Sequence, residues 1–132
     1  MPYEEVSVQA LIVDNNSADH APLLEHLQRA GYTSVAVALL KQAWQAILSQ
    51  SFDLFLLELA LPDGNGLSLC HDIRERLGNG VVIIFVSAQA TPAQRAVGIQ
   101  LGADDFLSKP CHAEELLARV DAHRRRRAAT AD

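Results

Sequence analysis

The sequence has few cysteines, and its potential metal ligands are not arranged as in a metal site. Its two cysteines, Cys70 and Cys111, lack the paired spacing of zinc ligands. The five histidines are also scattered without metal-ligand spacing. We therefore expect two free thiols, histidines on the surface or on helix faces, and no zinc or disulfide framework.

A long apolar run and a signal peptide are lacking as well. No stretch approaches the length of about 18 apolar residues that a membrane span needs, and the N-terminal residues MPYEEVSVQ lack the basic and apolar regions of a secretory signal. These absences predict a cytoplasmic protein with no membrane partner. The net charge of −5 argues against direct nucleic-acid binding by the domain. We interpret the arginine-rich end HRRRRAATAD (residues 123–132), which begins with the basic HRRRR segment, as a solvated helix end.

The size of the chain suits one hydrophobic core. With 132 residues, of which 49% are hydrophobic, it is long enough for one globular domain and too short for two. We assign residues 1–127 to that domain and residues 128–132 to a C-terminal tail.

Short apolar runs alternate with segments of helical period along the chain. Three of the runs are continuous, as expected of strands covered by helices on both faces. Gly31, Gly78 and Gly102 close three of the helical segments, and a capping box with proline opens at Thr91. The pattern predicts an α/β, doubly wound parallel sheet with five helices. The predicted strands lie at residues 10–13, 34–38, 54–57, 81–86 and 104–108.

Polar residues follow most of these runs at the same end. In a doubly wound sheet, function is expected beyond the carboxyl ends of the strands, where the strand order reverses. We therefore expect two acids, an amide, a hydroxyl and an ammonium group to converge in one pocket. The candidates are Asp14 and Asn15 after the first strand, Glu58 after the third, Ser87 after the fourth and Lys109 after the fifth.

The chain resembles the receiver domains of two-component response regulators, and within them the OmpR/PhoB type. The resemblance rests on LIVDN (residues 11–15), LPDGNGL (61–67), VSA (86–88), LGADDFLSKP (101–110) and EELLARV (114–120). It implies a flavodoxin-like fold with strand order 2-1-3-4-5 and a signalling role rather than an enzymatic one. It also implies a histidine kinase or an output domain as a partner.

The resemblance assigns roles to individual residues. In the family, two acids after the first strand hold Mg²⁺, an Asp after the third accepts a phosphoryl group, and a hydroxyl and a lysine contact that group. By position, Asp14 is the first acid, Ser87 the hydroxyl, Lys109 the lysine, and Phe106 the aromatic that switches together with Ser87. A cis peptide bond at Lys109-Pro110 is also implied.

Two positions depart from the family pattern. Asn15 replaces the second acid, so Mg²⁺ binding is expected to be weak and no cofactor to be required. Glu58 replaces the phosphoacceptor Asp, and its extra methylene moves the carboxylate by roughly 1.5 Å. Because phosphoryl transfer depends on positioning, we expect Glu58 to stand in for the phosphorylated acceptor by reaching Ser87 and Lys109. The alternative is a conventional receiver that is itself phosphorylated, on Glu58 or on another acid such as Asp63.

Two other classes of protein with this architecture are less favoured. A flavin carrier needs a phosphate cradle after the first strand, where this chain has only Ser17 and no glycine. A small phosphatase would place an acid pair around a nucleophilic Asp14, whereas Asn15 and Asn16 follow it.

The resemblance further implies a homodimer through the fourth helix, fifth strand and fifth helix. Charged residues at the matching positions have opposite signs, which suits a two-fold interface with Asp105 and Arg119 on opposite subunits. The alternative is that these charges pair within one chain. The predicted pairs are Arg95 with Glu115, Asp105 with Arg119, and Asp104 with Arg126.

Overall fold

The predicted apolar runs form one parallel sheet. A computed structural model describes residues 8–130 of the chain. The strands lie in the order β2-β1-β3-β4-β5, and all neighbouring pairs are parallel. This confirms the predicted fold, with strand ends that differ from the prediction by at most two residues. The strands are β1 (Val8–Val13), β2 (Tyr32–Val37), β3 (Leu54–Leu57), β4 (Val82–Ser87) and β5 (Asp105–Ser108).

Five helices connect and cover the strands. The glycines predicted to close α1, α3 and α4 have positive φ angles, and the capping box between Thr91 and Gln94 is formed. No helix in the described residues is long and apolar enough to cross a membrane. The helices are α1 (Ser17–Arg29), α2 (Leu40–Ser49), α3 (Gly66–Leu77), α4 (Pro92–Gln100) and α5 (Ala113–Thr130).

Both ends of the chain extend beyond the described residues. Helix α5 continues to Thr130, so residues 128–130 of the predicted tail are helical. Residues 131–132 and residues 1–7 lie outside the described residues. The latter include most of the MPYEEVSVQ stretch, so the predicted absence of a signal peptide concerns residues outside the described range.

The sheet separates two apolar layers because successive side chains of a strand point to opposite faces. Leu11, Phe55 and Phe85 belong to the layer that packs against α2 and α3. Ile12 and Leu56, their neighbours along the strands, belong to the layer that packs against α1 and α5. Burial on both faces explains why the central strands are continuously apolar.

A short antiparallel hairpin follows β3 and was not predicted. It pairs Ala60–Leu61 with Gly64–Asn65. Asp63, at its turn, accepts hydrogen bonds from Leu40 N at 2.8 Å and Lys41 N at 3.1 Å. These two backbone bonds lower the pKa of Asp63. Asp63 therefore caps the N-terminus of α2, which has no acid of its own in its first turn.

Candidate functional site

Three carboxylates converge on the ammonium group of Lys109 at the carboxyl ends of the strands. Lys109 Nζ lies 2.7 Å from Asp14 Oδ2, 3.0 Å from Asp19 Oδ2 and 3.1 Å from Glu58 Oε1. The side chains of Asp14, Glu58 and Lys109 are 7%, 9% and 9% exposed. The structure therefore brings together three predicted site residues and adds Asp19.

The sheet register places Asp14 beside Glu58. Val13 of β1 lies opposite Leu57 of β3, and the Glu58 N–H donates to the Val13 carbonyl at 2.9 Å. The residue that follows each of these strands therefore leaves the sheet at the same edge. Two acids that are distant in sequence become neighbours for this reason.

Lys109 enters the pocket from the end of β5. Its N–H donates to the Ser87 carbonyl at 2.9 Å, and the Lys109-Pro110 bond is cis, as predicted. Burial would by itself lower the pKa of the Lys109 ammonium, but hydrogen bonds to the three carboxylates outweigh it and raise the pKa. Lys109 is thus held as a cation at neutral pH.

Asp19 was not predicted as a site residue. It lies in the first turn of α1, which begins beyond the end of β1. Asn16 caps this helix by accepting from Ala18 N at 3.1 Å and Asp19 N at 3.3 Å. The signal available in the sequence was an acid in the first turn of the helix that follows the first strand. Its separation of 90 residues from Lys109 hid the contact.

Glu58 uses both of its carboxylate oxygens within the chain. Oε1 faces Lys109, and Oε2 accepts from Leu59 N at 2.6 Å. No hydrogen bond joins Glu58 to Ser87 in the described part of the chain. The expected reach of Glu58 is therefore seen toward Lys109 and not toward Ser87.

The residues after β1 do not fit the two-acid magnesium site that the resemblance implies. Asp14 Oδ1 accepts from Asn16 N at 2.9 Å, while Oδ2 accepts from Lys109. Asn15 is exposed and makes no side-chain hydrogen bond to any described residue. Among residues 8–130, no group of three or more His, Cys, Asp or Glu side chains is arranged to hold a metal ion.

Phe106, the predicted switch aromatic, packs inward from β5. Its ring stacks on Phe85 with centroids 5.1 Å apart, and the Arg95 guanidinium lies 5.6 Å from the Phe106 ring centroid. A Cβ atom on Gly98 of α4 would come within 3.3 Å of this ring. The glycine therefore makes room for Phe106 between the sheet and α4.

The cavity beside Glu58 and Ser87 is small. Its volume is about 220 Å³, and Asn65, Gln89 and Gln94 also line it. Cavities that hold cofactor-sized ligands usually measure about 300–1,000 Å³. The cavity therefore does not support the alternative of a flavin carrier.

Several charges of the predicted dimer face pair within the single chain. Arg119 Nη1 lies 3.1 Å from Asp105 Oδ2, and Arg119 Nη2 lies 3.8 Å from Glu115 Oε1. Arg95 donates to the Ser108 hydroxyl. His123, which is buried, places Nε2 3.0 Å from Asp105 Oδ2. The alternative of pairing within one chain is therefore realised for Asp105 and Arg119.

Asp104 belongs to an internal network rather than to an exposed fringe. Its side chain is 9% exposed, with Arg74 Nη2 2.9 Å from Oδ2 and Arg127 Nη2 2.5 Å from Oδ1. The predicted contact with Arg126 of a second copy would have to compete with both arginines. The sequence could not indicate this because Arg74 lies on α3, 30 residues before Asp104 in the chain.

Comparison with known proteins identifies the family. Residues 10–121 match the response regulator receiver domain, so the chain belongs to that family. Receiver domains are signalling domains of two-component systems that interact with histidine kinases and output domains. The resemblance drawn from the sequence is confirmed, including its OmpR/PhoB type.

The similar proteins include regulators of transcription. GltR of Pseudomonas aeruginosa is 39% identical over 118 residues, which cover 88% of this chain and 48% of GltR. TorR of Escherichia coli K12 is 37% identical over 110 residues, which cover 83% of this chain and 47% of TorR. The chain therefore spans about half the length of these two curated relatives.

Solved structures agree with the fold. The receiver domain of the TMAO respiratory system response regulator TorR is 35% identical, with a TM-score of 0.82, and the match covers 90% of this chain and 98% of that chain. A two-component response regulator from Clostridium difficile is 29% identical, with a TM-score of 0.84 and coverage of 91% and 98%.

Proposed function

We propose that the chain is an atypical receiver domain, a signalling and protein-interaction module that does not depend on phosphorylation and is not an enzyme. The observation that carries the proposal is the position of Glu58. Its carboxylate is buried and fixed between the Lys109 ammonium and the Leu59 N–H. The negative charge of Glu58 thus already contacts the lysine that, in the family, contacts the phosphoryl group.

The geometry also disfavours phosphoryl transfer to Glu58. An acceptor oxygen must meet the phosphoryl group in line, and a displacement of about 1 Å can lower the rate by roughly a hundredfold. The longer side chain displaces this oxygen, and both Glu58 oxygens are hydrogen-bonded. With Asn15 exposed and uncharged, the pocket also lacks the second acid for Mg²⁺. We propose that no cofactor is required and that Mg²⁺ binds weakly.

The rival function is a conventional receiver that is phosphorylated on Glu58 or on Asp63. Asp63 is exposed, which would favour access by a phosphodonor. Its two oxygens are nevertheless bound by backbone N–H groups at the start of α2. The helix cap accounts for the position of Asp63, which favours our proposal over this rival.

Incubation with acetyl phosphate and Mg²⁺ tests the proposal. We expect intact-mass spectrometry to find no phosphorylated chain, because Glu58 is misplaced and the metal site is incomplete. A mass gain of one phosphate that disappears in Glu58→Gln would support the rival and contradict us. A gain that disappears only in Asp63→Asn would assign the acceptor to Asp63.

A double variant serves as the positive control. Glu58→Asp with Asn15→Asp restores the family's acids, and the remaining pocket residues Ser87 and Lys109 are unchanged. We expect this variant to gain one phosphate under the same conditions. Its phosphorylation would show that the assay is competent, so that a negative result for the natural chain reports on Glu58 and Asn15.

The proposed partners follow from membership of the receiver-domain family. We propose a homodimer through α4, β5 and α5, with a histidine kinase or an output domain as a further partner. GltR and TorR are named as transcriptional regulatory proteins, and a role in transcription is a proposal for this chain. A cytoplasmic location, the lack of a membrane partner and the lack of direct nucleic-acid binding by this domain remain predictions.

A further inference from the structure

We infer that Asp19 is a positioning residue that fixes the Lys109 ammonium against Asp14 and Glu58, making Lys109 the permanent internal cation of the pocket. The inference rests on the proposed function and deepens it. It explains why the pocket disfavours both a divalent cation and a phosphoryl group.

Three carboxylates surround the ammonium group of Lys109. An ammonium group has three N–H donors and no acceptor. Three carboxylates, from Asp14, Asp19 and Glu58, lie within 3.1 Å of Nζ. A phosphoryl oxygen would have to compete with these carboxylates for the ammonium group. Asp19 supplies the bond that completes the set.

Asp19 differs from Asp14 and Glu58 in the structural element that carries it. Asp14 and Glu58 follow sheet strands, whereas Asp19 belongs to α1 and its side chain is 39% exposed. The first turn that holds Asp19 is capped by Asn16 and is therefore well defined. Asp19 thus ties the N-terminal end of α1 to the residue after β5.

The charges explain the exclusion of ligands. Three carboxylates and one ammonium leave two uncompensated negative charges, which repel a phosphate anion. A divalent cation would relieve that excess, but it would have to displace a lysine that is held by ion pairs with three carboxylates. The Lys109 ammonium already occupies the position between the three acids.

The chain permits a direct test because it has two lysines, Lys41 and Lys109. Lys41 is exposed, whereas the Lys109 side chain is only 9% exposed. Proton–nitrogen NMR of the lysine ammonium groups at neutral pH detects those whose hydrogens exchange slowly with water. We expect one sharp signal from Lys109 and none from Lys41. Lys41→Arg, which should retain the signal, confirms the assignment.

Asp19→Asn removes one charge-assisted bond while leaving the size of the side chain unchanged. We expect the Lys109 signal to broaden or disappear, while urea unfolding remains close to that of the natural chain. Glu25→Gln is the matched control, because Glu25 lies on the same helix and, among residues 8–130, pairs only with Arg29. It should leave the Lys109 signal unchanged.

Three results would overturn the inference. They are a missing Lys109 signal in the natural chain, an undiminished signal in Asp19→Asn, and a signal that millimolar Mg²⁺ abolishes in the natural chain. None of these NMR measurements uses a phosphodonor. Phosphorylation of Glu58 in the mass-spectrometry experiment would therefore contradict the proposed function without deciding how Lys109 is held.

Discussion

Gly66, the first residue of α3, packs closely against the backbone of Glu58. A Cβ atom at this position would lie 2.2 Å from the Glu58 carbonyl oxygen and 3.3 Å from the Phe85 ring. The Gly66 N–H also donates to the Leu59 carbonyl at 2.8 Å, which keeps the two segments in contact. The close approach of α3 to Glu58 therefore requires a residue without a side chain.

Gly66→Ala is expected to lower the free energy of unfolding by about 1–3 kcal/mol, the usual cost of overpacking. The contact is with backbone, which cannot move aside as a flexible side chain would. Urea unfolding measures the effect. Gly80→Ala is the control, since no atom lies within 4 Å of its added Cβ. Equal stability of the two variants would contradict this account.

At the scale of elements, Arg74 of α3 joins segments at the end of the sheet opposite the pocket. Its guanidinium donates to the carbonyls of Gly102, Gly78 and Val81 at 2.8, 3.1 and 2.7 Å. It also pairs with Asp104, which in turn binds Arg127 of α5. Arg74 therefore links α3 directly to the starts of β4 and β5. Through Asp104, it also links them to the end of α5.

Arg74→Met should destabilise the domain by about 3 kcal/mol, because it leaves three partly buried carbonyls without this donor and removes one partner of a largely buried ion pair. The matched control is Arg76→Met on the same helix. Arg76 is exposed and lies 5.8 Å from the Trp44 ring centroid. Urea unfolding of both variants measures the difference, and similar losses would show that the network contributes little.

The basic end of α5 packs partly against the domain. Arg124 donates to the Tyr32 hydroxyl at 3.3 Å and lies 5.7 Å from its ring centroid. Arg127 binds Asp104 and the Asn79 carbonyl. Two arginines of the HRRRR segment thus have partners within the chain. The segment is less solvated than the sequence indicated.

On the scale of the whole molecule, we expect no tight binding to duplex DNA at physiological salt. The net charge of −5 opposes the approach of phosphates, and Arg124 and Arg127 are engaged within the chain. Fluorescence anisotropy with a labelled duplex checks this. Micromolar or tighter binding that vanishes in Arg125→Ala with Arg126→Ala would contradict the expectation and locate the DNA contact.

The predicted homodimer requires a test that separates contacts between chains from contacts within one chain. Asp105 and Arg119 pair within the described chain at 3.1 Å, yet both lie on the proposed interface. Such an exposed pair contributes only about 0–1 kcal/mol, so its value lies in fixing the register of the two copies. Across a two-fold axis, each pair would occur twice.

Sedimentation at high micromolar concentration should find the natural chain dimeric, and Asp105→Arg and Arg119→Asp each more monomeric. Mixing the two variants should restore a dimer, because each interface contact then joins opposite charges. Pairing within one chain predicts no such recovery. A monomeric natural chain, or a mixture no more dimeric than its components, would contradict the proposed interface.

The sequence by itself determined the layout of the fold and the core of the site. Continuous apolar runs predicted strands covered on both faces, and the residues that follow them predicted a pocket at one edge. Asp14, Glu58 and Lys109 meet there because parallel strands present their carboxyl ends together. These outcomes follow from periodicity and strand direction, which are local properties of the chain.

Only the tertiary structure decided which partners these side chains take. The contact of Asp19 with Lys109 depends on how α1 is rotated on the sheet, and the pairing of Asp104 depends on where α3 and α5 end. The hairpin that places Asp63 on α2 likewise joins segments more than 20 residues apart. Hydrogen bonds form over about 3 Å, whereas patterns in sequence locate a side chain only to a face or an edge.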